Sequence, residues 1–173
     1  VTLRDETVAD ADAIHEVTAA AFKGVAVSRQ TEPYIVAALR ASGALAVSLV
    51  AEAEGRVVGH LAFSPVEISD GARGWYGLGP VSVRPDWQRR GVGKALVREG
   101  LARLRALNAR GCCLVGHPAY YPQFGFANVA GLGLDGVPPE VFFALAFDGR
   151  LPRGAVTFHP AFRAEGPPSP PRP

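Results

Sequence analysis

The sequence of 173 residues predicts a single α/β domain of the α+β kind, with a mixed, mainly antiparallel central sheet flanked by helices. Three observations predict it. β-rich runs at residues 47–53, 56–64 and 75–83 follow one another across short turns, as consecutive strands of an antiparallel meander do. Three stretches carry apolar residues at helical spacing, two before the meander and one after it. The third is enclosed by the β run 75–83 and a second run at 112–115, and a strand–helix–strand unit of this kind closes as a right-handed crossover with its strands parallel.

Taken in order, Val1-Thr2-Leu3 opens a short strand, and Asp10 stands where it can cap a helix carrying Ile14, Val17, Ala21 and Phe22 on one face. Gly24 ends that helix. Thr31 is placed to cap a second, with Glu32 and Pro33 in the first turn and Ile35, Ala38 and Leu39 on the apolar face. Glu54-Gly55 joins the first two meander strands as a tight hairpin, Pro65 stops the second, and Asp70-Gly71 turns the chain into the third. Gly77, Gly79 and Pro80 interrupt that third strand, which predicts a bulge. Residues 91–107 form the clearest helix, with Val92, Leu96, Gly100, Leu104 and Leu107 on one face and Arg98, Arg103 and Arg105 elsewhere.

The run 112–115 is short and continuously apolar, as befits a strand covered on both faces. Neighbouring strand residues point to opposite sides, so Cys112 and Cys113 are expected to be buried free thiols. Residues 126–129 and 141–147 read as the last strands, with Phe142, Phe143 and Phe147 in the core. The domain is expected to span residues 1–165, followed by a Pro-rich tail, residues 166–173, that cannot supply a core and should be extended or disordered.

Composition narrows the partners. The formal net charge is only +2, and Lys23 and Lys94 are the only lysines, so basic character rests on arginine. Arg98, Arg103, Arg105 and Arg110 alternate with core positions and have no interleaved aromatic platform, which argues against a nucleic-acid partner. No signal pattern opens the chain and no apolar run approaches the roughly 18 residues of a membrane span, so a cytoplasmic protein without a membrane partner is expected. No His, Cys and carboxylate spacing suits a metal ion.

The chemistry is expected where the third meander strand passes into the long helix. Gln88, Arg89, Arg90, Gly91, Val92, Gly93 and Lys94 fall at the start of that helix, where unpaired backbone N–H groups and the helix dipole converge. The two glycines let an anion approach the backbone, and the three basic residues add positive charge, so the charge and shape suit a pyrophosphate. A Walker A loop fails here, because Gln88 and Ala95 stand where Gly and Ser or Thr are required. A dinucleotide fingerprint lacks its third glycine, the position being Leu96, and has no acidic ribose partner near residues 109–112.

The run Val81-Ser82-Val83-Arg84-Pro85-Asp86-Trp87-Gln88-Arg89-Arg90-Gly91-Val92-Gly93-Lys94-Ala95-Leu96 resembles the acetyl-CoA-binding motif of the GCN5-related N-acetyltransferases, and Tyr121-Pro122-Gln123-Phe124-Gly125-Phe126 resembles that family's Tyr-x-x-x-Gly-Phe motif. The order and separation of the two motifs also match. Together with Phe63-Ser64-Pro65 and Phe158-His159-Pro160-Ala161-Phe162, they look like a YhbS-type branch of predicted acetyltransferases.

The resemblance implies the acyl-CoA N-acyltransferase fold, with a splayed strand pair that admits the cofactor's pantetheine arm. It implies that Val81, Ser82 and Val83 bind that arm through their backbone, that Gln88 to Lys94 hold the pyrophosphate of acetyl-CoA, and that Tyr121 is the general acid for the departing sulfur. His117 is a candidate base, with ordered water as the alternative; His60 and Glu67 have no better claim, and His15 and His159 have no positional argument. The implied reaction moves an acetyl group onto the primary amine of a small molecule or protein, and a homodimer is common in the family. The rival reading is a non-catalytic acyl-CoA-binding module, which would need neither Tyr121 nor a base.

Overall fold

The computed structural model describes residues 1–170. Its main sheet has six strands in the order β1 (Thr2–Asp5), β2 (Val47–Ala53), β3 (Arg56–Pro65), β5 (Trp75–Val83), β6 (Gly111–Val115) and β8 (Phe142–Ala146). Every neighbouring pair is antiparallel except β5 and β6, which run parallel across the crossover helix α3 (Val92–Ala106). This is the mixed sheet the sequence predicts. A smaller sheet sets β9 (Gly154–Thr157) between β4 (Glu67–Ile68) and β7 (Leu132–Gly133).

Burial on both faces explains the near-continuous apolar character of the central strands. Adjacent residues Leu49 and Val50 are both fully buried: Leu49 packs with Leu96 and Leu104 of α3, while Val50 packs with Ile14 and Val17 of α1 (Ala11–Phe22) and Val36 of α2 (Glu32–Ala41). Helix α3 comes unusually close to β3. A β-carbon added to Gly100 would lie 2.9 Å from Cδ2 of Leu61 and 3.0 Å from Cε2 of Phe63, so any side chain there would push these core groups aside. Val97 and Leu101 join the buried face, whereas Leu107, expected on it, is more than half exposed because it is the residue that ends the helix.

Three further expectations are corrected. Neither Asp10 nor Thr31 caps its helix through the side chain. The Asp10 carboxylate instead accepts from the Thr7 backbone N–H at 2.6 Å and takes a two-pronged ion pair from Arg4 at 2.7 and 3.0 Å, which ties the lead-in turn to β1 and holds the carboxyl well below its usual range. Residues 126–129 are not a strand. Gly125 turns with φ +96°, only the Ala127–Ala144 bridge forms, and the Asn128 amide donates to the carbonyl oxygens of Pro139 and Phe142. The free, buried state of Cys112 and Cys113 is as expected. The tail has no regular element from residue 166 to 170, and its last three residues, 171–173, lie outside the described residues.

Candidate acetyl-CoA site

The site begins where two parallel strands stop pairing. The β5–β6 ladder runs through Trp75–Gly111, Tyr76–Cys112 and Gly77–Cys113 and ends there. Beyond it β6 stays with β8, while β5 stays with β3 as far as Val83–Gly59. Between Leu78 and Val81 the third strand takes three steps against two on β3, which places the extra residue of a bulge at Gly79 and Pro80. The edge of β5 from Leu78 to Val83 is thereby left open toward β6, and a strand edge of this kind is a ready partner for an amide-bearing chain.

At the far end of this slot the chain leaves β5 through a 3-10 turn, Pro85–Trp87, and enters α3 over a loop that resembles a cradle. The Gln88 side-chain amide donates back to the Val83 carbonyl at 3.1 Å, fixing the loop to the strand. Arg89 and Gly91 both adopt left-handed backbone, with φ +62° and +83°. At Gly91 a β-carbon would meet nothing within 4 Å, so the backbone angle, not crowding, asks for glycine and leaves open space above it. Among the described residues, no group accepts a hydrogen bond from the backbone N–H groups of residues 89–94. The loop lines a cavity of about 390 Å³, walled by Val83, Trp87, Gln88, Arg89, Gly91, Gly93, Lys94 and Tyr120. Arg89, Arg90 and Lys94 are exposed and, among the described residues, have no carboxylate within ion-pair distance, and the Arg90 guanidinium lies 4.8 Å over the Trp87 ring. Donors and positive charge without an acceptor fit an anion.

The sequence-derived site residues do not all present their side chains to this space. Val92 is 3% exposed and Ser82 1% exposed, so both can contribute only their backbone. The Ser82 hydroxyl is buried without a partner on the helix α1 side, next to His60 in the register. His60 is fully buried, its Nε2 is 2.8 Å from the Ser48 hydroxyl, and burial drives it down to about 3, so it stays neutral.

After β6, Tyr120 is the N-cap and Tyr121 the first residue of a short 3-10 segment, Tyr121–Phe124, with their rings edge-on at 89°. The Tyr121 ring occupies the space that a side chain on Gly116 would need, directly after β6, and packs against Phe126 and Phe143. It therefore sits at the mouth of the slot. Burial, with Tyr120 beside it, pushes its phenol up to about 12, which keeps it protonated across the physiological range. The Tyr120 hydroxyl instead reaches the cradle, 3.0 Å from where a Gly93 β-carbon would stand.

His117 is exposed, and its Nδ1 accepts from the Ala119 backbone N–H at 3.1 Å. In a neutral ring that bond leaves the proton on Nε2, so His117 becomes a base only by giving the bond up. His159 makes the same local bond to Ala161, His15 packs edge-on against Tyr34, and Glu67 lies exposed on β4. Among the described residues, no group of three or more His, Cys, Asp or Glu could hold a metal ion, and no helix is long and apolar enough to cross a membrane.

Residues 11–126 match the acetyltransferase (GNAT) family, and the chain belongs to that family. It is 37% identical over 100 residues to an uncharacterized N-acetyltransferase, YhbS, of Escherichia coli strain K12, a match that spans 57% of this chain and 60% of that protein. Over most of their length two solved structures are similar. A GNAT family acetyltransferase from Brucella melitensis in complex with acetyl-CoA is 50% identical, with TM-score 0.84, covering 93% of this chain and 97% of that one. YhbS from Escherichia coli in complex with CoA is 29% identical, with TM-score 0.83, covering 95% and 93%.

Proposed function

We propose that this chain is an acetyl-CoA-dependent N-acetyltransferase that moves the acetyl group onto a primary amine by direct attack of the amine on the thioester. The observation that carries this reading is the slot that opens between β5 and β6 beyond Gly77, with an anion cradle at one end and Tyr121 at its mouth. The likeness to the Brucella melitensis acetyltransferase, whose structure contains acetyl-CoA, supports the choice of cofactor.

The roles follow from the donors available. The N–H groups of residues 89–94, with Arg89, Arg90 and Lys94, seat the diphosphate. The open β5 edge, including Val81, Ser82 and Val83, pairs with the amides of the pantetheine arm, and an N–H of that edge stabilises the carbonyl oxygen as it gathers negative charge. Acetyl-CoA brings an activated acyl group: the N–C bond forms while the C–S bond breaks. Tyr121 gives its proton to the leaving sulfur and takes one back from solvent before the next turnover. The proton of the acceptor amine passes to water, because His117 Nδ1 is already engaged.

The test is to incubate the protein with acetyl-CoA and a panel of primary amines, including polyamines, amino-acid amides and peptides with free N-termini or lysines, while following free thiol and acetylated product. Thiol release that depends on one class of amine supports the enzyme. Tight acetyl-CoA binding with no amine-dependent release across the panel would favour the non-catalytic binding module.

A further inference from the structure

The Tyr120 hydroxyl is the one group at the cradle that neither motif assigns. The ring is held edge-on between Tyr121 and Phe124, with centroids at 5.1 and 5.4 Å, so the position of the oxygen is set by packing. Tyr120 lines the same cavity as Trp87, and its oxygen lies beside Gly93 in the first turn of α3, near the Val83 side chain at the end of β5. Among the described residues, it has no hydrogen-bond partner. Partial burial holds the Tyr120 phenol above the ordinary range, and the charge of Arg98, one turn beyond Lys94 on α3, offsets this in part.

A phenol O–H, a loop with free backbone N–H groups and two cations, Arg89 and Lys94, thus meet at one cavity for which the described residues supply no acceptor. A ligand rich in acceptors and carrying negative charge satisfies them together, whereas neutral hydroxyl or amide groups would leave the cations to solvent. We propose that Tyr120 is a cofactor-binding residue whose hydroxyl donates to the diphosphate of acetyl-CoA, while Tyr121 alone serves the sulfur. The adjacent tyrosines then divide the cofactor between them. This rests on the acetyl-CoA reading above and adds to it a residue and a phosphate-specific role.

The experiment compares the parent with Tyr120→Phe, which keeps the ring packing. Calorimetry measures the Kd for acetyl-CoA and for inorganic pyrophosphate, and steady-state assays use acetyl-CoA and acetylpantetheine, a donor without phosphates. Loss of one hydrogen bond to a charged group should raise Kd for acetyl-CoA and pyrophosphate roughly tenfold. KM for acetyl-CoA should rise in step, with kcat within about twofold and kcat/KM for acetylpantetheine unchanged. An unchanged Kd for both phosphate ligands, an equal loss with acetylpantetheine, or a fall in kcat alone would each overturn the assignment. Failure of the parent to bind acetyl-CoA would instead overturn the functional reading beneath it.

Discussion

Replacing Tyr121 with Phe removes one oxygen and leaves the ring to pack on Phe126 and Phe143. Among the described residues the hydroxyl has no hydrogen-bond partner, so its loss should change stability by less than about 1 kcal/mol. General-acid assistance is worth roughly 10²–10⁴ in rate, and the lower figure corresponds to about 2.7 kcal/mol of barrier. Tyr121→Phe should therefore lower kcat about 100-fold while the calorimetric Kd for acetyl-CoA stays within about threefold.

The same substitution has a signature that does not depend on turnover. Folding raises the phenol from its ordinary 10.0 to about 12, so between these values the unfolded chain loses the proton first. The folded state binds more protons there, and stability falls as pH rises from about 10 toward 12, by as much as roughly 2–3 kcal/mol. The contribution is complete below pH 10. Urea midpoints measured from pH 9 to 11.5 should decline less in Tyr121→Phe than in the parent. A kcat within threefold of the parent, or an alkaline decline identical in both proteins, would refute the reasoning.

Other consequences follow from buried groups. His60 falls from 6.5 to about 3, so the folded state stays unprotonated where the unfolded chain takes up a proton. Its contribution to stability is present above pH 6.5 and lost as pH falls toward 3, at up to about 1.4 kcal/mol per pH unit. Urea unfolding between pH 6 and 4 should show this slope in the parent and a shallower one in His60→Leu, whatever the variant's absolute stability. Burial also raises Cys112 well above its ordinary range and Cys113 to about 12, so neither should react with a thiol reagent at neutral pH until the protein is unfolded. Rapid modification of the native protein would contradict the packing of β6.

Much of this arrangement is local in the chain, and that part could be read from it. The cradle from Gln88 to Lys94 is contiguous, its chemistry depends on backbone and charge, and α3 announces itself by apolar periodicity. The hairpin at Glu54 and Gly55 is fixed by two residues in left-handed backbone. What escaped depends on partners distant in sequence. The splay is implied by the family resemblance, but where it begins, after three paired β5–β6 positions, is set by long-range pairing. The small sheet is built from strands of two and four residues, too short for any period to show.

The two tyrosines illustrate the limit sharply. At the start of the 3-10 segment Tyr120 and Tyr121 serve different spaces although they are chemically identical and adjacent: one reaches Gly93, the other Gly116. Motif spacing picks out Tyr121, and only the fold shows that the Tyr120 hydroxyl faces Gly93. The Ser48–His60 pair was hidden for a similar reason, since a lone histidine within an apolar strand gives no sign of its partner on the next strand.

Titration calorimetry of acetyl-CoA into the parent and into Gly93→Val tests the central claim, that the slot and cradle bind this cofactor. At Gly93 the backbone is not left-handed, and an added β-carbon meets only the tip of Tyr120 at 3.0 Å and Cγ2 of Val83 at 3.7 Å. Valine there strains no backbone angle but requires the Tyr120 hydroxyl to give way by a few tenths of an ångström, and its branches occupy the space a phosphate needs at the start of α3. Binding by the parent, weakened about 100-fold or more in a variant that melts normally, is the predicted result. A folded parent that binds no acetyl-CoA, or a variant that binds it within threefold of the parent, would contradict the account.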